Sequence, residues 1–259
     1  MEKLFIQNRK GQKMSVIVEE SDGHKGLAFV MHGLGGFKEQ PHIETFARAF
    51  FEKGFTVVRF DTTNTFGESD GKYEDATTTN YYDDLEDVIT WAKVQSWYQE
   101  PFALSGHSLG GICIALYAEK YPGRVAALAL ISSVVSGPLM LKAYEIYTPD
   151  ILSEWKKTGW RISKSESKPG VVKKLKWSFM EDAAKYDLLP DAGKLTMPVL
   201  FIVGEKDDGT PLEHIRILHD AVAGPKELHV IKGAPHTFRD PVHLAEIKQI
   251  FSDWLDKIL

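Results

Sequence analysis

Along the chain, short apolar runs rich in β-branched and aromatic residues alternate with stretches whose apolar positions recur every three or four residues. The runs "LAFVMH", "FTVVRFD", "PFALSG", "VAALALISS", "PVLFIVG" and "ELHVIKG" predict strands, and residues 42–53, 80–97, 109–121, 212–222 and 241–258 predict helices. Two further short strands, joined by the turn-like "NRKGQK", precede them. In the last helix Leu244, Ile247, Phe251, Trp254, Leu255 and Ile258 fall on one face, and Asp240 followed by Pro241 supplies its N-cap and first position. Strands that are apolar throughout are buried on both faces, so the pattern predicts an α/β fold with a doubly wound, mostly parallel sheet. Reactive groups in such sheets gather at the carboxyl ends of the strands.

One segment breaks the rhythm. Between the strand ending near Ser133 and the one starting near Pro198, Trp155, Trp160, Trp177, Phe179 and Met180 sit on short helical patterns. This predicts a small helical cap, about residues 136–190, inserted into a single domain spanning 1–259, with no linker, repeat or compositional break at its edges. Trp155, Trp160, Trp177 and Met180 are its candidate pocket residues. Between residues 156 and 176 the cap carries Lys156, Lys157, Arg161, Lys164, Lys168, Lys173, Lys174 and Lys176 against Glu166 alone. Such a cluster is either a solvated face or an attraction for anionic substrates.

Composition narrows the classes. A chain of 259 residues with 43% hydrophobic content can bury a sizeable core. A net charge of −5, with both signs spread along the chain, lacks the basic footprint of nucleic-acid binding and leaves small-molecule partners. The single cysteine, Cys113, cannot close an intrachain disulfide and reads as a small buried hydrophobe. Charges recur every few positions in the first thirty residues, and no run approaches the ~18 apolar residues of a membrane span. The expected location is cytoplasmic.

The chemistry centres on Gly106-His107-Ser108-Leu109-Gly110. This G-x-S-x-G pattern follows a predicted strand and opens a predicted helix, the context of a nucleophile elbow. Only small residues fit beside so tight a turn, and the helix amino terminus places the Leu109 amide where an oxygen gaining negative charge could bind. A serine hydroxyl needs a base. Nine histidines are available. His107 lies within the elbow, and His24, His42, His214, His219, His229 and His243 fall in helices, strands or loops away from strand ends. His236, in "GAPHTF", follows the last predicted strand and is the candidate base. The orienting carboxylate should follow the preceding strand, where "LFIVGEKDDGTP" offers Asp207 and Asp208; adjacent residues point differently, and Asp207 is favoured over Asp208. The order serine, aspartate, histidine suits this elbow. A second oxyanion donor is expected from His32-Gly33-Leu34-Gly35-Gly36, at the Leu34 amide. That loop is no dinucleotide turn, because Lys38 stands where the third glycine of G-x-G-x-x-G would fall.

Through "HGLGG", "GHSLGG", "GEKDDGTP" and "GAPHTF" the chain resembles the α/β-hydrolase superfamily over nearly its whole length. Within it, the chain is similar to small serine carboxylesterases such as cinnamoyl and feruloyl esterases, monoacylglycerol lipases, and acyl-protein thioesterases that also cleave acyl glucuronides. The resemblance implies the α/β-hydrolase fold, Ser108 as nucleophile, His236 as base, Asp207 as its orienter, and the Leu34 and Leu109 amides as oxyanion hole. "RFDTTNTFGESDG" departs from the family's F-D-x-x-G-x-G-x-S by one extra residue and by Asn64 in place of the first glycine. The expected activity is hydrolysis of carboxylic esters with small to medium acyl or aryl-acyl groups, needing no cofactor and no metal. An acyl thioesterase or acyl-glucuronide esterase is the enzymatic alternative, and a non-catalytic ligand receptor on the same fold the alternative of another class. A peptidase is disfavoured, since no propeller domain or site for a peptide's charged amine is recognisable, and a dehalogenase would carry aspartate at position 108.

Overall fold

The computed structural model describes every residue except 24, 166 and 167, so the readings of His24 and Glu166 lie outside the described residues. Ten strands form. β1 (Glu2–Gln7), β2 (Lys13–Glu19), β3 (Gly26–Met31), β4 (Phe55–Phe60), β5 (Phe102–His107) and β6 (Val125–Ile131) belong to one sheet with β9 (Val199–Gly204) and β10 (Lys226–Ile231). β7 (Trp160–Lys164) and β8 (Val172–Lys176) form a separate two-stranded sheet. The eight-stranded sheet runs β1-β2-β4-β3-β5-β6-β9-β10, antiparallel at β1-β2 and β2-β4 and parallel elsewhere.

Alternate residues of the central strands enter two different cores, which explains their uninterrupted apolar sequences. Leu27, Phe29 and Met31 of β3 face one side with Leu104, Leu128, Leu130 and Phe201, where α2 (Thr78–Ala92), α3 (Leu109–Lys120) and α7 (Leu212–Ala221) pack. Ala28 and Val30 face the other with Ala103, Ala127, Ala129, Leu200 and Ile202. The small alanines there admit large aromatics from α1 (Pro41–Glu52) and α8 (Pro241–Ile258): Phe46 stacks on Phe251 with ring centres 5.4 Å apart. Each such phenylalanine stabilises the fold by about 1.5–3 kcal/mol through burial alone.

The sheet order reverses at β3, whose neighbours are β4 and β5. Loops leaving β3 and β5 diverge there and open a crevice at the carboxyl edge, the usual ligand position in open α/β sheets.

Two expectations are corrected. The helix expected over 80–97 ends at Ala92: the Val94 and Gln95 amides bond back to Trp91 and Ala92, tightening the chain into turns, and Trp97 folds edge-on against Trp91. The segment expected to be a small helical cap contains the helices α4 (Gly137–Tyr147), α5 (Pro149–Thr158) and α6 (Ser178–Ala183), and also the β7–β8 hairpin between α5 and α6, which the sequence reading lacked. That hairpin turns Ile162 and Val172 outward, 64% and 54% exposed, and buries only Leu175 among its lysines, so its sequence lacks the apolar alternation of a core-facing strand. Among the described residues no helix is long and apolar enough to cross a membrane.

Candidate active site

Ser108 joins β5 directly to α3 with φ +55° and ψ −117°, a conformation L-residues rarely adopt. The turn closes because its neighbours lack side chains. A Cβ on Gly106 would lie 2.6 Å from the Gly110 carbonyl oxygen, and one on Gly110 would lie 2.5 Å from that of His32. The Ser108 amide donates to the Ile131 carbonyl at 3.0 Å, and the Ser108 carbonyl accepts from Gly111 at 2.9 Å and Val134 at 3.1 Å.

The Ser108 hydroxyl lies 2.9 Å from Nε2 of His236, whose Nδ1 is 2.9 Å from both carboxylate oxygens of Asp207. Asp207 is buried and accepts further bonds from the Gly209 and Thr210 amides at 3.0 and 2.8 Å and from the Thr210 hydroxyl at 2.9 Å. Burial opposes ionisation of Asp207, yet the facing imidazole and the donors from Thr210 hold its carboxyl below its ordinary value. Burial likewise opposes protonation of His236, but the Asp207 charge outweighs it, with a smaller contribution from Asp208, and the pKa is raised. The tautomer follows: Nδ1 carries the proton toward the ionised carboxylate, leaving Nε2 to accept from Ser108. Such a chain can draw a proton from the serine hydroxyl.

A histidine side chain that sequence reasoning passed over orients the Leu34 amide. The Thr62 amide donates to His32 Nε2 at 3.1 Å, so the proton of His32 is on Nδ1, which donates to the Gly33 carbonyl at 2.8 Å. Burial keeps His32 neutral by lowering its pKa. The Gly33 carbonyl and the Leu34 N–H belong to one peptide unit, and in a trans peptide they point in opposite directions. Pulling the carbonyl toward His32 therefore turns the Leu34 N–H away from it. Among the described residues neither Leu34 nor Leu109 donates its amide to a protein acceptor, and both line the cavity over Ser108. The loop's far end is tied down by buried Lys38, which bonds to Asp61 through its amide at 2.7 Å and its ammonium at 2.8 Å; the Gly35 amide donates to the Tyr81 hydroxyl at 3.0 Å. The "H-G" dipeptide after the strand was the available signal; the acceptor role of His32 depended on Thr62, thirty residues away.

His107 is buried, and its Nε2 donates to the His236 carbonyl at 2.9 Å, bracing the loop that carries His236. Its pKa is lowered to about 3 by burial and by the neighbouring His236, so it stays neutral. Asn64 takes φ +58°, a left-handed conformation that asparagine tolerates better than most residues, which accommodates the departure from glycine.

The cavity measures about 440 Å³. Its floor comprises Gly33, Leu34, His107, Ser108, Leu109 and His236, and its roof includes Met140, Ala143, Tyr144, Ile151 and Phe179 from the inserted segment. Trp155, Trp160, Trp177 and Met180, expected as pocket residues, are absent from this wall. Trp155 is fully buried inside the insertion, edge-on to Trp177 at 5.5 Å and to Tyr144 at 5.7 Å, and stacked with Phe179 at 6.4 Å. Met180 is buried in the adjoining core. Trp160 lines a separate surface cavity with Glu74, Glu154 and Lys174. Trp155 and Trp177 pack the interior of the insertion, and none of the four lines the cavity over Ser108. Asp208 is exposed and lines the cavity. Cys113 is buried, and burial raises its thiol pKa well above the ordinary value.

The sheet order and the sharp strand-to-helix turn at Ser108 define an α/β hydrolase. Residues 22–240 match the family described as "Serine aminopeptidase, S33" (Hydrolase_4), and the chain belongs to that family. Among curated relatives, the palmitoyl-protein thioesterase ABHD10, mitochondrial, of Rattus norvegicus is 25% identical over 238 residues, covering 90% of this chain and 76% of the relative. Its Homo sapiens counterpart is 25% identical over 219 residues, covering 83% and 67%. Among solved structures, Est1E from Butyrivibrio proteoclasticus with bound ferulic acid superposes with a TM-score of 0.80 at 22% identity, covering 98% of each chain. Mouse alpha/beta hydrolase domain-containing protein 10 gives 0.78 at 19% identity over 100% of both.

Proposed function

We propose that the chain is a serine hydrolase of carboxylic esters, with small to medium acyl or aryl-acyl groups, acting through an acyl-enzyme. The observation that carries this reading is the unbroken chain of hydrogen bonds from Ser108 through His236 to Asp207 at the cavity floor. Ser108 Oγ attacks the carbonyl carbon as His236 Nε2 takes its proton, and the Leu34 and Leu109 amides bind the resulting oxyanion. Collapse of the tetrahedral intermediate expels the alcohol, protonated by His236. Water, deprotonated by the same imidazole, then releases the acid and restores Ser108. Asp207 stays ionised throughout and fixes the tautomer. Residues of about 136–190 form a cap within a single domain and close the acyl side of the cavity with Met140, Ala143, Ile151 and Phe179.

Thioester cleavage is the second reading, favoured by the thioesterase relatives; thiolate replaces alkoxide as leaving group, and every protein group keeps its role. The names of those relatives place them in mitochondria, while the reading for this chain is a cytoplasmic enzyme. The test is labelling with a fluorophosphonate alongside a panel of p-nitrophenyl esters and thioester analogues of increasing acyl length. Wild-type protein is expected to label stoichiometrically and lose all turnover, whereas Ser108→Ala neither labels nor turns over. Labelling of Ser108→Ala at the wild-type rate would move the nucleophile elsewhere.

A further inference from the structure

The loop that carries the Leu34 amide is backed by the segment following β4. This is the stretch "RFDTTNTFGESDG", one residue longer than its family pattern, and Asn64 folds it back on itself. The Asn64 amide donates to the Asp70 carbonyl at 3.0 Å, and the Asn64 side-chain oxygen accepts from the Lys72 amide at 3.0 Å. The fold brings Thr65, Phe66 and Tyr73 against Gly35 and Gly36. The buried Thr65 hydroxyl donates to the Gly36 carbonyl, while the Gly36 amide donates to the Gly33 carbonyl at 2.9 Å. Phe66 and Tyr73 stack with ring centres 4.6 Å apart and lie against Gly35, where a Cβ would come within 2.7 Å of Tyr73 and 3.2 Å of Phe66. Leu34 stands between the two glycines that these contacts fix.

The roof fastens on the same segment. Lys176 pairs with Asp75, and Asp182 accepts from the amide and hydroxyl of Thr79. Lys168, in the turn of the β7–β8 hairpin, reaches further. Its ammonium donates to the Phe66 carbonyl and lies over the Phe37 ring, 4.9 Å from the centre. One side chain therefore touches both the oxyanion loop, at Phe37, and the segment that backs it, at Phe66. The Lys168 backbone is itself held: its amide donates to the Ser165 hydroxyl at 3.1 Å, and its carbonyl accepts from the Val171 amide at 3.2 Å. A cation on an aromatic face and a charge-assisted bond to a carbonyl are each modest contacts, and here both join the same two loops.

We infer that Lys168 is a positioning residue of the oxyanion hole: seated on the Phe66 carbonyl and the Phe37 ring, it holds residues 62–75 against the oxyanion loop and so aligns the Leu34 amide while the roof is in place. The inference rests on the hydrolase reading and adds a coupling between roof and floor within it. Lys168 touches no reacting atom and acts only through the two loops. A misaligned donor costs most where charge on the oxygen is greatest, in the transition state, so the effect belongs in kcat rather than in KM.

The test uses the full chain and a neutral ester, p-nitrophenyl butyrate. Lys168→Met keeps an unbranched apolar side chain and removes the charge at a partly exposed position. It is expected to lower kcat by about fivefold to tenfold with Tm nearly unchanged and KM within about twofold, short of the about 10²–10³ lost with a whole oxyanion donor. Lys168→Arg can donate to the same carbonyl and stack on the same ring, and should recover most of the loss. The exposed-site control Lys157→Gln should match wild type. From the other side of the contact, Thr65→Val should also lower kcat, and Thr65→Ser should not. Hydrogen exchange read by mass spectrometry on Ser108→Ala protein gives a measurement independent of turnover: adding Lys168→Met should speed exchange in residues 33–38 and leave α8 unchanged. An unchanged kcat in Lys168→Met, a change confined to KM, or no recovery in Lys168→Arg overturns the inference and leaves the hydrolase standing. If wild-type protein neither cleaves the ester nor labels with a fluorophosphonate, the hydrolase reading fails and exchange decides: faster exchange confined to residues 33–38 supports the coupling, and equal or uniformly faster exchange overturns it.

Discussion

The cavity floor and its roof are made in different ways. On the floor, reactive groups are fixed by the backbone and by one another: Asp207 takes two amide bonds and a hydroxyl bond, the Leu34 peptide is turned by His32, and Ser108 sits in a turn that only glycines allow. The roof has its own backbone bonds, among them the Trp177 amide to the Gly159 carbonyl at 2.8 Å, but it meets the rest of the domain largely through side chains. Trp155 packs against Tyr144, Trp177 and Phe179, while Asp182 of α6 ties back to the Thr79 amide at 2.9 Å and hydroxyl at 2.6 Å. Backbone-fixed geometry holds atoms within the tolerance that bond making demands, and side-chain packing leaves the roof free to differ in shape and charge. Chemistry belongs to the floor in this account, and selectivity to the roof.

Substitutions in each region should therefore fail differently. The largest effect is expected for Asp207→Asn, which presents the wrong partner to the imidazole: kcat should fall by about 10⁴ with folding preserved, while Asp208→Asn changes kcat by less than about tenfold. Steady-state kinetics on both variants checks the assignment, and the reverse pattern would give the role to Asp208. Next is Trp155→Ala in the roof. Emptying a fully buried tryptophan site should cost about 3–5 kcal/mol, read as a lower Tm or as early proteolysis within residues 137–183. Trp160→Ala, at a half-exposed position, should change stability by less than about 1 kcal/mol. If both tryptophans behave alike, the packing role of Trp155 is lost.

His32→Phe sharpens the contrast, because it touches none of the serine, histidine and aspartate and removes the bonds that His32 makes to the Gly33 carbonyl and the Thr62 amide, leaving the Gly33 carbonyl only its bond from the Gly36 amide. The expected loss is in kcat rather than KM, up to the about 10²–10³ seen when one oxyanion donor is removed. A change confined to KM would place His32 outside the chemistry. The smallest effect is on pH. His236 must be neutral to act, and its pKa is raised, so kcat/KM should decline as pH falls through a value above the ordinary histidine pKa of about 6.5. Removing the Asp207 charge in Asp207→Asn should move that limb to lower pH, within the residual activity. A limb that stays fixed would mean another group titrates.

Much of the floor was legible in sequence because its demands are local. Gly106 and Gly110 flank Ser108 for steric reasons visible in five residues, and the positions of Asp207 and His236 follow from strands whose apolar runs are buried on both faces. The His32 side chain was not legible, since its tautomer depends on Thr62 at the end of the neighbouring strand, thirty residues along the chain. In the roof the apolar spacing of Trp155, Trp177 and Met180 signals burial but not against what, so residues that pack the insertion stand among the expected pocket residues, whereas Phe179 is the one that reaches the cavity. The β7–β8 hairpin escaped because its two faces mix charge and apolar residues, with Ile162 and Val172 outside and Leu175 the one apolar residue inside.

The central claim is that Ser108 carries the acyl group between the two half-reactions. Intact-protein mass spectrometry with peptide mapping, on protein quenched in acid within the first turnovers of a p-nitrophenyl ester, tests it directly. The account predicts a mass increase equal to the acyl group on the peptide containing Ser108, stoichiometric with the p-nitrophenol burst and absent in Ser108→Ala. An adduct on another residue, or sustained turnover in Ser108→Ala at the wild-type rate, would contradict it.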